Sequence, residues 1–208
     1  MIKHLAIAMS VLALTVTAAP AGSSSTAIDR ALAQAADGQT IFAEFLLGAA
    51  SVRETSAQQA LLARIDEWVA GNFDLPRVTE PPKVEYAPTA KIAALRYKGL
   101  VLASSDTTGS IPQTALERTT VAVYIDAEKT IYLPDEWTGR SPAELSVLVH
   151  EMVHHMQNLG GAHYECVRAR EKLAYEAQDK FLQLFGRDLE TEFDVNPFTI
   201  LVRSTCVY

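Results

Sequence analysis

The stretch SPAELSVLVHEMVHHMQNLGG, residues 141–161, has the pattern of one long helix. Ser141 can cap a helix whose first turn holds Pro142 and Glu144, an arrangement typical of a capping box. The Gly-Gly pair at the end of the stretch supplies the stop. Apolar side chains fill most of the positions in between, so the sequence predicts a buried helix.

Inside this helix stand His150, Glu151 and His154, in the spacing H-E-x-x-H. Four residues advance a helical side chain by about 400°, so the two imidazoles lie one turn apart on one face and can converge on a single cation. Glu151 borders that face, about 100° further round, where its carboxylate can reach a metal-bound water without binding the metal. The spacing therefore predicts a metal site with Glu151 as the general base.

The histidines of the chain are clustered. Apart from His4, all of them lie between residues 150 and 163, as expected near a metal. We interpret His155 as a polar residue on the flank of the helix and His163 as a loop residue, because a histidine taken singly is more often not functional.

A catalytic zinc needs a third protein ligand. A second helix, expected over about residues 164–185, offers Glu165, Glu171 and Glu176. Glu171 shares a stripe with mainly apolar residues, whereas Glu165 and Glu176 have basic neighbours at the spacing of surface ion pairs. Since a buried carboxylate usually coordinates something, Glu171 is the predicted ligand; the alternative is a surface glutamate paired with Arg168.

The rest of the chain predicts an α+β fold that is mainly helical, with a short β-hairpin or small sheet packed on the H-E-x-x-H helix and on the glutamate-bearing helix that follows. Helical spacing is found over residues 27–36, 57–73 and 90–99, with an apolar stretch at 40–49. KVEYA, residues 83–87, predicts an extended segment, and VAVYID and KTIYLP, residues 121–126 and 129–134, predict a β-hairpin. The polar stretch over residues 104–120 predicts a surface loop.

Residues 1–21 have the organisation of a signal peptide. A short cationic start precedes an apolar run over residues 5–18, and a small-residue cleavage site follows. The run is shorter than the ~20 residues that cross a bilayer, so we expect no stable membrane anchor. The mature protein would be one domain, residues 22–208, with a helical part over 22–80 and the metal-binding part over 81–208, in the periplasm or secreted.

Cys166 and Cys206 are the two cysteines of the chain. In an oxidising compartment an even pair predicts a disulfide, which here would close a loop of about 40 residues and contribute about 3–4 kcal/mol. The alternative is two buried free thiols.

Composition and charge exclude one class of partner. The chain is 49% hydrophobic and 21% charged, as in a globular protein. With 18 Lys and Arg against 25 Asp and Glu, the net charge of -7 gives no basic surface for a phosphate backbone, so nucleic acid is not an expected partner.

The H-E-x-x-H helix, the later EKLAYEAQ (residues 171–178) and the hairpin upstream together resemble the gluzincin branch of zinc metallopeptidases, in the form of small exported bacterial proteins. The resemblance covers about residues 120–180. It implies that an edge strand within residues 121–134 holds extended peptide. It also implies two kinds of site residue, the zinc ligands His150, His154 and Glu171 and the general base Glu151.

The sequence departs from that family at two points. Such enzymes carry an Asp four residues after the ligand glutamate, where it orients the first histidine; here the position is Tyr175, and we hypothesise that its hydroxyl takes that role. No motif marks the residue that stabilises the oxyanion. The candidates are Tyr132, His163, Tyr164 and Tyr175.

These features predict an exported zinc-dependent peptidase that hydrolyses peptide or protein substrates with a metal-activated water. The ligand set favours zinc over iron or manganese. The alternative is a non-catalytic zinc-binding structural or interaction module, whose fourth ligand would be His163 or Cys166. A third hypothesis is a helical exported domain without metal. Peptide deformylases also carry H-E-x-x-H, but they need an upstream Cys, and none precedes His150.

Overall fold

The computed structural model describes residues 38–40, 42–48, 51–103 and 122–206 of the 208-residue chain. The signal peptide predicted at residues 1–21, the helix at 27–36 and the loop at 104–120 lie outside the described residues. Within the described ranges, no helix has both the length and the apolar character needed to span a membrane.

The described part of the chain is mainly helical with one small sheet, which confirms the predicted α+β class. The helices are α1 (Thr55–Asn72), α2 (Thr89–Ala103), α3 (Pro142–Leu159), α4 (Glu171–Gln183), α5 (Leu189–Phe193) and α6 (Pro197–Ser204), with a 3-10 helix at Val167–Arg170. The strands are β1 (Lys83–Ala87), β2 (Val123–Ile125) and β3 (Thr130–Pro134). The helices predicted at 57–73 and 90–99 correspond to α1 and α2, and the extended segment at 83–87 is β1.

The predicted hairpin is present as β2 and β3. The two strands pair antiparallel, with Val123 opposite Tyr132 and Ile125 opposite Thr130. Lys129 has a positive φ of 49° in the turn between them. β1 pairs in parallel with the other side of β3. β3 is therefore the central strand of this sheet, and β2 lies at an edge.

Alternation along β3 separates two layers of the protein. Ile131 and Leu133 are fully buried in the main core, together with residues of α1, α3 and α4. Tyr132 points to the opposite face, where it packs with Ile92 of α2. The H-E-x-x-H helix and the glutamate-bearing helix thus lie on the same side of the sheet.

The start of α3 has the predicted N-cap, with one difference. Ser141 Oγ accepts a hydrogen bond from the Glu144 backbone N at 3.1 Å. The Glu144 carboxylate accepts from the backbone N of Thr138 at 2.8 Å and of Arg140 at 3.1 Å, whereas in a capping box it would accept from the N-cap residue itself. Glu144 therefore also ties down the loop that leads into the helix.

Phe181 of α4 lies in the main core and is fully buried. Its ring makes edge contacts with Phe42 at 4.9 Å and with Trp68 at 5.5 Å between centroids. We predict that Phe181→Ala lowers the free energy of unfolding by about 3–5 kcal/mol, because the substitution leaves a cavity and the surrounding side chains lose their contacts with the ring. Urea denaturation measures this loss, and Phe198→Ala, whose side chain is 72% exposed, should change it by no more than ~0.5 kcal/mol. Equal effects of the two substitutions would contradict this description of the core.

The helix predicted over residues 164–185 begins later than expected. Cys166 has extended backbone, and α4 begins at Glu171 after the 3-10 helix. Tyr164 and Val167 are consequently 38% and 50% exposed and do not continue the buried stripe. The spacing of apolar residues did not predict this later start, because over four residues a 3-10 turn and an α-helical turn have similar patterns.

Cys166 and Cys206 form the predicted disulfide. The bond ties the segment after α6 to the residues that lead into α4. A structural disulfide persists in oxidising compartments, which indicates a non-cytoplasmic protein.

Candidate metal centre

Three side chains singled out by the sequence converge between α3 and α4. The Nε2 atoms of His150 and His154, one turn apart on α3, are 3.2 Å from each other. Glu171, the first residue of α4, has Oε2 3.3 Å from His150 Nε2 and Oε1 3.4 Å from His154 Nε2. Both histidines are buried, and the Glu171 side chain is 18% exposed. Among the described residues, these three form a group with the donors for one metal ion.

The separation of the two ring nitrogens matches the dimensions of a zinc site. In a tetrahedron with metal-to-ligand distances of about 2.0–2.1 Å, neighbouring ligand atoms are about 3.3–3.4 Å apart. The two Nε2 atoms are 3.2 Å apart, close to that edge length, and a different oxygen of Glu171 faces each of them, at 3.3 and 3.4 Å. Two imidazoles and a carboxylate are donor types that zinc accepts.

A chain of hydrogen bonds fixes which nitrogen of His150 carries the proton. Ser146 Oγ donates to the Ala143 carbonyl at 2.7 Å, which leaves Oγ to accept from Gln178 Nε2 at 3.3 Å. The amide of Gln178 is thereby oriented with Oε1 3.0 Å from His150 Nδ1. Since an amide oxygen only accepts, Nδ1 donates to it, and Nε2 of the neutral ring carries a lone pair.

A second chain does the same for His154. Gln157 Nε2 donates to the Arg170 carbonyl at 3.1 Å, and a carbonyl oxygen only accepts. Gln157 Oε1 therefore faces His154 Nδ1, at 3.1 Å, and accepts the proton of that nitrogen. The second Nε2 is left with a lone pair as well.

Three electron-rich groups consequently face one another in a buried space. Glu171 Oε2 is buried and has no hydrogen-bond partner among the described residues. Two imidazole lone pairs and a carboxylate at these distances are unfavourable unless a positive charge lies among them. The arrangement therefore requires a cation, which is either a metal ion or a proton.

In the absence of a metal, His154 is the group that holds the proton. Burial alone would lower the pKa of His154, but the Glu171 carboxylate outweighs burial and raises it above its ordinary value of 6.5. Burial would likewise raise the pKa of Glu171, and the neighbouring His154 and His150 hold it well below its ordinary value of 4.5 instead. The metal-free site is therefore an ion pair at mildly acidic pH.

This ion pair predicts opposite pH dependences for the metal-free and zinc-bound protein. A raised histidine pKa contributes stability below pH 6.5, and the contribution is lost as the pH rises through the raised pKa. Zinc competes with that same proton, so its stabilisation grows over the same range. Between about pH 6 and pH 8, we expect the Tm of zinc-free protein to fall and the Tm increase on adding zinc to become larger.

Thermal unfolding at several pH values measures both trends. His154→Gln should flatten the zinc-free trend, because the titrating group is gone while the size of the side chain is roughly kept. A zinc-free Tm that rises across this window in the wild type, and equally in the variant, would be incompatible with the ion pair.

Arg170 connects the metal-binding residues to the hairpin turn. Its guanidinium binds the Asp126 carboxylate through two hydrogen bonds, of 2.6 and 3.0 Å, and donates to the His154 carbonyl at 3.0 Å. The hairpin turn, the second half of α3 and the residue before Glu171 are thereby joined. Because Gln157 also binds the Arg170 carbonyl, this residue sets where Glu171 lies relative to the histidines.

One of the three donors, His150, lines a cleft of about 610 Å³, and the lining also includes Glu151, Tyr175 and Gln178. Glu151 is only 4% exposed. Its carboxylate interacts electrostatically with Arg96, His154 and Arg170. A carboxylate in the wall of the cleft, one residue from a metal donor, is suited to take a proton from a molecule in the cleft.

Of the four oxyanion candidates, one lines the cleft. Tyr132 lies on the far face of the sheet, where its hydroxyl donates to Glu128 and this bond raises its pKa to about 12. His163 and Tyr164 are exposed and do not line the cleft. Tyr175 does, with its ring edge-on to the His150 ring at 4.8 Å between centroids.

The hypothesis that the Tyr175 hydroxyl orients His150 is wrong. Gln178, not Tyr175, bonds to His150 Nδ1, and the tyrosine hydroxyl accepts from Arg203 at 2.9 Å. Gln178 stands seven residues, or two helical turns, after Glu171, so it lies on the same face as the ligand, and its amide oxygen reaches the ring nitrogen. This spacing from Glu171 was the sequence signal for the role.

His155 is fully buried, so the prediction of a helix-flank residue is wrong. Its Nε2 donates to the Glu80 carbonyl at 2.8 Å, and its Nδ1 accepts from the Tyr124 hydroxyl at 3.0 Å. Burial lowers the pKa of His155, which favours the neutral ring that these bonds need. This histidine links α3 to β2 and to the segment before β1.

Neither residue considered as a fourth ligand belongs to the group. Cys166 is bonded to Cys206. His163 is exposed in the loop after α3, where a loop residue was predicted. Among the described residues, the group has three donors, and no fourth His, Cys, Asp or Glu belongs to it.

Two cleft residues were missed by the sequence analysis. Arg96 of α2 and Arg203 of α6 both line the cleft. They are far apart in the chain, and neither stands in a motif, so no local signal marks them. Their proximity follows from the tertiary fold alone.

Comparison with known proteins gives one family match. A family model described as a domain of unknown function, DUF6647, matches residues 54–208. No curated protein and no solved structure matches the chain.

Proposed function

The chain belongs to the DUF6647 family, and from the geometry of its site we propose that it is an exported zinc-dependent metallopeptidase. The observation that carries the proposal is the convergence of two imidazoles and one carboxylate next to a cleft whose wall includes His150 and the Glu151 carboxylate. The ligands would be His150, His154 and Glu171, and the general base would be Glu151.

Two features support catalysis over a purely structural metal. Among the described residues, the three donors are fewer than the four that close a structural zinc site, and the candidates for a fourth, His163 and Cys166, lie outside the group. The outer partners Gln157 and Gln178 hold the rings in one tautomer, as outer partners of metal-binding histidines commonly do.

In the proposed hydrolysis, the metal and the protein side chains have different roles. When bound, Zn²⁺ supplies a Lewis acid that activates water and polarises a carbonyl group. Glu151 would take a proton from the attacking water and return it to the nitrogen of the leaving group. The carbonyl carbon gains the water oxygen, the carbon–nitrogen bond breaks, and the products are a carboxylate and an amine.

Strand β2 is the candidate for holding extended substrate. It lies at an edge of the sheet, and Ala122, the residue before it, lines the cleft. An edge strand can pair with a peptide backbone through main-chain hydrogen bonds, which gives affinity with little dependence on side chains. The β3 half of the hairpin is central and has no free edge for this purpose.

Hydrolysis of a mixture of unstructured peptides tests the proposal. Protein purified with its disulfide intact would be compared in zinc-free, zinc-loaded and zinc-restored form, with products identified by mass spectrometry. We expect cleavage that is lost with the metal and regained on adding one equivalent of zinc. One tightly held zinc without any cleavage would favour the non-catalytic zinc module instead.

A further inference from the structure

Two arginines lie beside one tyrosine in the wall of the cleft. Arg203 Nη1 donates to the Tyr175 hydroxyl at 2.9 Å, and Arg96 interacts electrostatically with the same tyrosine. Arg96, Tyr175 and Arg203 come from α2, α4 and α6, and all three line the cleft beside His150 and Glu151.

Neither guanidinium makes a direct ion pair. Among the described residues, neither Arg96 nor Arg203 has a carboxylate oxygen within 4 Å. Glu171 and Glu151 act on Arg96 from beyond that distance, and Glu171 also contacts the two histidines. Two cations beside one tyrosine repel each other, and the repulsion is relieved when an anion binds between them.

We infer that Arg96 and Arg203 bind the C-terminal carboxylate of a peptide substrate, so that the protein removes residues from the C-terminal end of short peptides. This inference rests on the proposed function. A carboxylate is planar and carries a single charge, and it matches the fork of a guanidinium. The cleft is also lined by Glu190, Glu192 and Asp194, which disfavour an anion of higher charge such as phosphate.

The fold holds Arg203 in place from outside the cleft. Arg203 lies near the end of α6, and Cys206, just after that helix, is bonded to Cys166. α6 in turn packs against α4, which carries Tyr175. The disulfide thus joins the carboxylate-binding arginine to the segment that leads into the metal ligand Glu171.

Calorimetric titration with two matched probes tests the inference. The probes are N-acetyl-trialanine with a free C-terminus and the same peptide as its C-terminal amide, bound to zinc-loaded Glu151→Gln protein so that no turnover interferes. We expect the free acid to bind at least about tenfold more tightly, a difference of about 1.4 kcal/mol. Arg96→Gln and Arg203→Gln should each remove most of this preference, whereas Arg203→Lys should keep part of it because the charge remains.

Arg168→Gln is the matched control, since Arg168 is exposed and does not line the cleft. Equal binding of acid and amide in the parent protein would overturn the inference, and so would tighter binding of inorganic phosphate than of the free acid. The outcome is separable from that of the proposed function. Zinc-dependent cleavage without an acid preference sinks only the carboxylate site, while an acid preference without cleavage sinks only the peptidase.

Discussion

Replacing Glu151 by Gln is expected to lower kcat for peptide hydrolysis by about 10²–10⁴-fold while leaving the zinc content unchanged. The substitution keeps the size of a side chain that is 4% exposed and removes its ability to accept a proton. Glu151 is not one of the three converging donors, so metal binding does not depend on its charge. Steady-state kinetics with a cleaved peptide, together with elemental analysis, measures both quantities.

Glu176→Gln is the control for this variant. Glu176 lies on the exposed side of α4, where it pairs with Lys172, and its loss of charge should leave kcat unchanged. Full activity in Glu151→Gln would remove the general base from the proposed mechanism. Loss of zinc in that variant would instead make Glu151 part of the metal site.

Replacing His154 by Ala is expected to abolish stoichiometric zinc binding. The substitution removes one of three donors, opens a buried space, and leaves the Glu171 carboxylate with one imidazole partner. Removing the outer partner of a ligand typically weakens metal binding by about 10–100-fold, so Gln178→Leu should fall in that range and His154→Ala well beyond it. Competition with a chromophoric chelator gives the affinities of both variants and of the wild type.

His163→Ala is the matched control for the loss of a histidine. His163 is exposed, lies outside the converging group, and should have no effect on zinc affinity. Retention of wild-type affinity by His154→Ala would show that the metal binds elsewhere. A loss in Gln178→Leu as large as that in His154→Ala would mean that Gln178 contributes more than orientation of a ring.

Local signals were sufficient to predict the elements that carry the site. The cap at Ser141 and the glycines after α3 bounded the H-E-x-x-H helix, and the two β-branched runs marked the hairpin. Glu171 was found as a carboxylate on an apolar stripe, because a helix repeats its buried face every three or four residues. These predictions depend on neighbours within one or two turns.

The features that were missed depend on contacts between distant segments. The parallel pairing of β1 with β3 and the convergence of Arg96 with Arg203 have no short-range pattern. The choice of Gln178 over Tyr175 depends on the direction of each side chain, because the Tyr175 hydroxyl points to Arg203 and the Gln178 amide points to His150. Local spacing predicts which face a residue occupies, but the length and direction of the side chain decide which atom it contacts.

Zinc-edge anomalous diffraction from crystals of the purified protein locates the metal itself. We expect one anomalous peak per chain, about 2.0–2.2 Å from His150 Nε2, His154 Nε2 and a carboxylate oxygen of Glu171. The same crystals of His154→Ala should lack the peak, while those of Glu151→Gln should keep it. No peak in wild-type crystals grown with excess zinc at neutral pH would contradict the metal centre and leave the three side chains as a protonated ion pair.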